Sequence, residues 1–305
     1  MLTERRSTTA VANGLNRALV PVSVLIPVKN EKNNIQDCIR SVSWADEVVV
    51  VDTASSDGTA ELAVALGARV IQFEYRLGGL KKKNWALQNC PFRNDWILIL
   101  DADERITPAL AAEIHSVVVN AGNCAGYYIN RKFYFLGKWI RHAGYFPSWN
   151  LRLFQKGRGQ YEFVPDYLAS SGDNEVHEHM IVAGPAGKLT EPMEHYAYRD
   201  VYSFIEKHNR YSSWEALNGE AAQSFNEGQA ASDIGAAINR KRLLKRLSQG
   251  LPVPHWFRFC YHFFYKLGFL DGLAGYYFCH LLAEYQFQIW IKRHELEVAK
   301  KLAAA

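Results

Sequence analysis

Trp96-Ile97-Leu98-Ile99-Leu100-Asp101-Ala102-Asp103-Glu104 is the stretch whose reading decides the fold. It is an apolar run bounded by Asn94-Asp95 before it and Thr107-Pro108 after it. Its length is that of a strand, and its lack of polar alternation marks a strand buried on both faces, as in a parallel sheet. Carboxylates at the end of such a strand are costly unless a partner stabilises them. Residues two apart on an extended chain face the same way, so Asp101 and Asp103 are expected to converge on one hard cation while Ala102 points elsewhere. The alternative is a solvated strand end followed by a helix cap, and the neighbouring segments decide between the two.

Upstream, Pro21 to Val28 reads as a strand that breaks at Lys29-Asn30-Glu31. Ile35, Cys38, Ile39 and Val42 then fall on one face of a helix. A second strand, Glu47 to Val51, ends in Asp52, and Thr53 to Thr59 supplies turn residues with a helix cap at Asp57. Leu62, Ala65 and Leu66 form the next apolar stripe, Gly67 ends that helix, and Arg69 to Phe73 is a third strand. Lys81 to Asn89 is a short helix leading into the opening stretch, and Thr107 caps a helix with Pro108 at its first position. This β-α-β-α rhythm predicts an α/β fold with a Rossmann-like, mostly parallel sheet, whose ligands bind beyond the carboxyl ends of the strands. Asn30 with Glu31, Asp52, and Asp101 with Asp103 each follow a separate strand, so three polar clusters are expected along one edge.

Composition sets the outer bounds. The 305 residues, 49% hydrophobic and 13% aromatic, suffice for a large core, which excludes a disordered chain. A net charge of +4 suits anionic nucleotides or lipid headgroups but falls short of a nucleic-acid binder, and no nucleic-acid partner is expected. Cys38, Cys90, Cys124, Cys260 and Cys279 are odd in number and lack C-x-x-C spacing, which favours a reducing cytoplasm over a disulfide framework or a zinc site. Residues 1–20 lack an apolar core of signal-peptide length and read as a flexible leader.

Val24-Leu25-Ile26-Pro27-Val28-Lys29-Asn30-Glu31, Val50 to Thr59, Lys83-Asn84-Trp85-Ala86 and Leu100-Asp101-Ala102-Asp103-Glu104 occur in an order and spacing that resembles glycosyltransferase family 2, inverting nucleotide-sugar transferases of the GT-A fold. Asn150-Leu151-Arg152-Leu153-Phe154, Val176-His177-Glu178 and His195 are similar to the branch that includes lipopolysaccharide core β-glucosyltransferases. The resemblance covers about residues 21–215, with a donor half at 21–122 and an acceptor half at 123–215, and is looser over the helical region 216–305. It implies that Pro27, Asn30 and Glu31 hold the base and ribose, that Asp52 accepts a hydrogen bond from the base, and that Lys83, aided by Lys81, faces the diphosphate. Lys81-Lys82-Lys83 also reads as a solvated helix start. Asp101 would lie near ribose and metal, Asp103 would be the main ligand of Mg²⁺ or Mn²⁺, and His195 would contact the metal or the diphosphate. Those ions prefer oxygen ligands and complete their shell with phosphates and water.

Between Gly126 and Phe163, aromatic residues such as Tyr127, Phe133 and Trp149 interleave with Arg131, Lys132 and Arg152. Aromatic faces stack on sugars and arginines pair with phosphate, although a β-rich core accounts for most of these aromatics. Arg152 is singled out as an acceptor contact, because a charge between Leu151 and Leu153 needs an anionic partner or a pocket edge. Direct inversion requires a base for the acceptor hydroxyl. Glu178 is the candidate, with His177 as runner-up, and the His-x-His pair reads equally as a turn. Lys207 and Arg210 fall on an expected lid helix that could reach the diphosphate or the acceptor, and the polar segment Gln223 to Ser232 reads as a hinge.

The tail carries Arg240-Lys241-Arg242 and Lys245-Arg246 ahead of an aromatic run, Trp256 to Tyr265. No apolar stretch reaches transmembrane length, so the region reads as a helical appendage lying on an anionic membrane surface, or as a helical pair closing the core or a dimer. The implied function is a metal-dependent inverting hexosyltransferase on the cytoplasmic membrane face. Its donor would be a nucleotide diphosphate sugar, first a UDP-sugar, and its acceptor a glycan or a lipid-linked glycan of bacterial cell-surface polysaccharide or lipopolysaccharide synthesis. A sugar-phosphate nucleotidyltransferase and a catalytically silent scaffold are the alternatives, although the glycine-rich first turn of the former is absent.

Overall fold

β1 (Val20–Val28) alternates Val24 and Ile26 toward one face and Leu25 toward the other, and all three are fully buried, which sets the layers of the molecule. The computed structural model describes residues 19–76, 78–120, 122–162, 179–218 and 254–304. Beside β1 lies β2 (Ala45–Asp52), and beside that β3 (Arg69–Gln72), both parallel. On the other side β4 (Trp96–Ile99) also runs parallel to β1. Between these strands the chain crosses over through α1 (Lys32–Ser41), α2 (Thr59–Ala65) and α3 (Lys82–Asn89). α1 buries the expected Ile35, Cys38 and Ile39, with Val42 just beyond. In α2 the buried positions are Thr59 and Ala63 and Ala65 is exposed, so the predicted stripe is turned by part of a helical turn. The α2 cap residue is Gly58 at φ 90°, while Asp57 accepts from the Thr59 backbone N–H just outside the helix.

β4 is where the sheet changes sense. Its far neighbour is the antiparallel β8 (Trp149–Gln155), so the strand is buried on both faces as predicted but only one of its ladders is parallel. Beyond Ile99 the chain turns, and β5 (Glu104–Arg105) and α4 (Pro108–Val119) follow. Thr107 caps α4 by accepting from the Leu110 N–H, as predicted. β6 (Gly126–Phe135) pairs antiparallel with β8, β7 (Lys138–Trp139) hairpins back onto β6, and β9 (Gly159–Tyr161) pairs with β10 (Met180–Val182). β11 (Ala186–Lys188) and β12 (Met193–His195) both lie parallel to β6, and β12 carries β5 on its far edge. The path through the large sheet is therefore β3-β2-β1-β4-β8-β6-β12-β5.

Two cores flank this sheet. Val24, Ile26, Leu98, Ile35 and Ile114 pack on the α1, α2 and α4 side, and Leu25, Ile97, Ile99, Ala86 and Phe154 on the α3 side. A third core joins Phe133, Phe135 and Ile140 to α5 (Val201–Asn218) through Phe204, and to α7 (Gly272–Ala304) through Phe278 and Leu282. α6 (Pro254–Cys260), a π turn at Tyr261–Tyr265 and a 3₁₀ turn at Gly268–Asp271 precede α7. The helical tail is thus packed on the end of β6 by one of its faces. The fold is α/β, a mostly parallel sheet in its first half with a C-terminal helical region.

Candidate functional site

The carboxyl ends of β1, β2 and β4 meet at one edge, and backbone hydrogen bonds to side chains stitch their turns together. Asn30, at φ 56°, donates its N–H to Ser55 Oγ (2.8 Å) and accepts from the Ser56 N–H (2.9 Å). The Glu31 N–H donates to Thr59 Oγ1 (2.8 Å) and the Lys32 N–H to Asp57 Oδ2 (3.1 Å). Pro27 is half-buried at the end of β1, directly opposite Val51 of β2. Asp52 is only 1% exposed and accepts from the Ser55 amide and hydroxyl and from Gln72 Nε2 (3.1 Å). The carboxylate expected to meet the base is therefore turned onto its own loop, which it rigidifies.

The Asp101–Asp103 segment corrects the geometry inferred from strand alternation. The strand has ended at Ile99 and the chain turns, the Glu104 N–H donating to the Asp101 carbonyl (2.9 Å). The two aspartates accordingly have different partners. Asp101 Oδ1 is 2.8 Å from Lys83 Nζ, and Asp101 Oδ2 is 2.7 Å from Arg152 Nη2. Burial alone would raise this carboxyl, but Arg152 and Lys83 outweigh it and hold Asp101 well below the ordinary carboxylate range. Asp103 Oδ1 faces His195 Nε2 at 3.6 Å and makes no hydrogen bond among the described residues. Burial opposes its charge too, yet His195 and then Lys207 keep the Asp103 carboxyl low.

The lysine run is not a solvated helix start. Lys81 is buried at the cap of α3, Lys82 is 2% exposed and donates from Nζ to the Val28 carbonyl (2.8 Å), and Lys83 pairs with Asp101. Burial would lower the Lys83 ammonium, but Asp101 and Tyr161 raise it above the usual lysine range. Asn84 clamps the backbone of Tyr161 from both sides, at 3.0 and 2.8 Å, which places that ring 5.2 Å from Lys83 Nζ. Arg152 has the anionic partners its position demanded, but they lie within the chain. It is 4% exposed and reaches Asp101 and Glu104, both at 2.7 Å, so its guanidinium backs the turn that carries the two aspartates.

Two contributors escaped the sequence reading. Glu104, fully buried, accepts from the Asp101 backbone N–H (2.9 Å), from Arg152, and from Arg131 Nη1 (3.4 Å), so it fixes the turn that presents both aspartates. Lys82 is the other, and its spacing of four from the buried Ala86 was the available signal. Lys207 of α5 lies over the Tyr198 ring at 5.5 Å; burial would lower its ammonium, but Tyr211, Asp103, Glu31 and Asp101 together raise it. The Glu31 carboxyl is raised mainly by burial, with Asn34 and Lys207 opposing and Asp103 and Asp101 adding. Arg210 lies exposed on the same helix. Glu178, His177, the Gln223 to Ser232 segment and the basic residues 240–246 lie outside the described residues.

A divalent cation fits what is present. Asp103 offers a buried oxygen without a hydrogen bond, and His195 adds an imidazole nitrogen beside it. Among the described residues no cluster of three or more His, Cys, Asp or Glu could hold a metal unaided, so such an ion would need substrate oxygens.

Known proteins place this geometry in context. The description glycosyl transferase family 2 matches residues 23–171. The chain is 29% identical to the lipopolysaccharide core biosynthesis glycosyltransferase LpsC of Rhizobium meliloti (strain 1021), over 65% of this chain and 71% of that protein. It is 31% identical to an uncharacterized glycosyltransferase of Rickettsia felis, over 64% of this chain and 69% of that protein. Among solved structures, glucosyl-3-phosphoglycerate synthase from Mycobacterium tuberculosis, in complex with Mn²⁺, UDP and glucosyl-3-phosphoglycerate, aligns at 22% identity with a TM-score of 0.31. That alignment takes in 41% of this chain and about half, 51%, of that one.

Proposed function

Because the chain belongs to glycosyl transferase family 2, we propose that it is an inverting hexosyltransferase that uses a nucleotide diphosphate sugar, first a UDP-sugar. The acceptor is a glycan or a lipid-linked glycan in the synthesis of bacterial cell-surface polysaccharide or lipopolysaccharide. The observation that carries this reading is the meeting of Lys83–Asp101 and Asp103–His195 at the carboxyl ends of the parallel strands. That edge is where open α/β sheets bind nucleotides.

The base and ribose lie against the Pro27, Asn30 and Glu31 turn, which Asp52 holds in shape from below. Lys83 and Lys207 face the diphosphate, with Lys81 at the start of the same helix. Asp103 and His195, with Asp101 beside them, would hold Mg²⁺ or Mn²⁺, which would neutralise the phosphate oxygens when bound. Preorganised cations at that point stabilise the departing nucleoside diphosphate without reorganisation of solvent. Glu178 takes the proton of the acceptor hydroxyl as it attacks the anomeric carbon, with His177 the second candidate. The protein works at the cytoplasmic face of the membrane, its C-terminal helices toward the lipid.

A thermal-shift screen of nucleotide sugars with Mn²⁺ tests the reading, since a ligand at one hundred times its Kd stabilises the native state by about 2.7 kcal/mol. A shift with one donor, followed by release of nucleoside diphosphate on adding acceptor, is the expected result. Release of pyrophosphate would instead indicate a nucleotidyltransferase, and silence toward every donor would indicate a scaffold.

A further inference from the structure

α7 is apolar on both faces for its first two turns, an arrangement suited to burial on both sides. Its inner face is accounted for: Phe278, Leu282, Tyr285 and Ile289 are buried, Tyr285 donating to Glu215 of α5 at 2.6 Å. Its outer face is not. Leu273 is 71% exposed and Tyr277 stands out beside it, and the preceding turns add Phe264, Tyr265 at 72%, Phe269 and Leu270. Ring contacts through Phe263, at 5.1 Å to Phe264, 6.1 Å to Phe269 and 5.8 Å to Tyr276, make this one continuous surface. Contiguous apolar surface of this kind marks an interaction site.

The charges around it choose the partner. From His255 to Ala283 the sequence has a single acid, Asp271. That acid is buried, accepting from the backbone N–H groups of Arg141 and His142 (3.3 and 2.9 Å) and lying 2.9 Å from His142 Nδ1. The cations remain at the rim. Lys266 lies over the Tyr261 and Tyr265 rings and passes beside Gly144, while Lys138 of the β6–β7 hairpin donates to the Asp271 carbonyl (2.7 Å) next to exposed Leu136. Arg141 is exposed close by. A two-fold pairing of identical copies would bring this basic rim against itself. An anionic lipid surface complements it, and tyrosines beside lysine are the side chains that settle at the headgroup boundary.

We propose that residues 264–277, with Lys138, Arg141 and Lys266 at the rim, form the surface by which the protein sits on an anionic membrane. This rests on the membrane-facing reading above and gives it its residues. Among the described residues no helix is long and apolar enough to cross a membrane, so the contact is interfacial. The seat belongs to the core that carries α5 and Lys207, which fixes the orientation of the donor edge relative to the lipid.

The test is co-sedimentation of the full chain with vesicles of phosphatidylcholine alone or mixed with phosphatidylglycerol. Binding to the mixed vesicles, weakened by salt, is expected. It should fall roughly fivefold in Lys266→Ala and be lost in the exposed-site variant Leu270→Ser with Leu273→Ser, whose unchanged melting curve shows it folded. Equal binding by wild type and both variants overturns the assignment, as does absence of wild-type binding. A dimer in sedimentation velocity that the leucine variant dissolves also overturns it, in favour of a second copy. Donor-induced melting shifts, measured without vesicles, separate this from the transferase reading. A donor response without vesicle binding removes only the surface, and vesicle binding without a donor response supports the surface and removes the transferase.

Discussion

Arg152 and Asp101, 51 residues apart in sequence, meet at 2.7 Å, and the same guanidinium nitrogen lies 2.7 Å from Glu104. One buried cation thus ties the turn carrying the two aspartates to β8, the first antiparallel strand of the sheet. Removing it leaves the buried Glu104 charge with the Asp101 N–H at 2.9 Å and, as its one cation among the described residues, Arg131 at 3.4 Å. Breaking a buried pair costs about 3 to 5 kcal/mol. Arg152→Met is therefore expected to lose about 3 kcal/mol in urea unfolding, the lower end because Arg131 remains. A variant of native stability whose defect is confined to the KM of the acceptor would return Arg152 to an acceptor role.

Neighbouring lysines should separate cleanly. Lys82 spends its ammonium on the Val28 carbonyl beneath the sheet edge, whereas Lys83 faces Asp101 at the site. Lys82→Met should lower stability by about 1.5 to 3 kcal/mol, the worth of a hydrogen bond from a charged donor, with the Val28 carbonyl keeping the Thr53 N–H at 3.1 Å, while the folded fraction still binds nucleotide. Lys83→Met should weaken nucleoside diphosphate binding about tenfold or more in calorimetry, since a charge-assisted contact contributes roughly 1.5 to 3 kcal/mol. Identical phenotypes for the two would contradict the division of labour.

Sequence periodicity located the parallel half of the sheet closely because β1, β2 and β4 are uniform apolar runs and α1 has a complete stripe. The three polar clusters follow from strand ends alone, and only resemblance singles out His195. What stayed hidden depends on tertiary pairing. Asp52 turns inward because Gln72 of the adjacent strand meets it, and Arg152 points to Asp101 because β8 runs against β4. Glu104 reads as one more polar residue after a strand until the turn folds back and its carboxylate accepts the Asp101 N–H. Spacing within one segment carries no information about any of these.

Asp103 is the clearest point at which to test the metal. Its buried oxygen lacks a hydrogen bond and faces His195. Wild type should bind a nucleoside diphosphate more tightly with Mn²⁺ than without, and Asp103→Ala should lose that difference, by at least the roughly tenfold that even outer-shell partners cost. His195→Gln should lose a smaller part of it. Titration calorimetry with and without Mn²⁺ reads both, and equal metal dependence in wild type and Asp103→Ala would exclude Asp103 as a ligand.

The base assignment is separable from donor binding. Glu178→Gln keeps size and removes proton acceptance, so nucleotide sugar affinity should be unchanged while turnover falls about 100-fold or more, the range for general base catalysis. His177→Gln serves as the comparison. Retained turnover in Glu178→Gln with collapse in His177→Gln would move the base one residue.

His208 gives the fold a dependence on pH distinct from that of the carboxylates. It is buried between α5 and α7, stacked on Phe204 at 3.9 Å and edge-on to Tyr285 at 4.9 Å, with Nδ1 2.9 Å from the Phe204 carbonyl. Burial, reinforced by Arg258 and Lys207, pushes it down to about 4 from an ordinary 6.5. Between those values the unfolded chain holds the proton and the native state does not, so stability rises with pH across that window. The contribution is fully present above pH 6.5 and lost as pH falls to about 4, a change on the order of 3 kcal/mol. Asp101 and Asp103 are depressed carboxyls, so their contribution is retained down to the ordinary aspartate value of about 4 and lost only below it. Urea unfolding of wild type from pH 7 to 4 should therefore show a slope that His208→Phe flattens, with the acid limb below pH 4 preserved. A slope unchanged in His208→Phe would place the titrating group elsewhere.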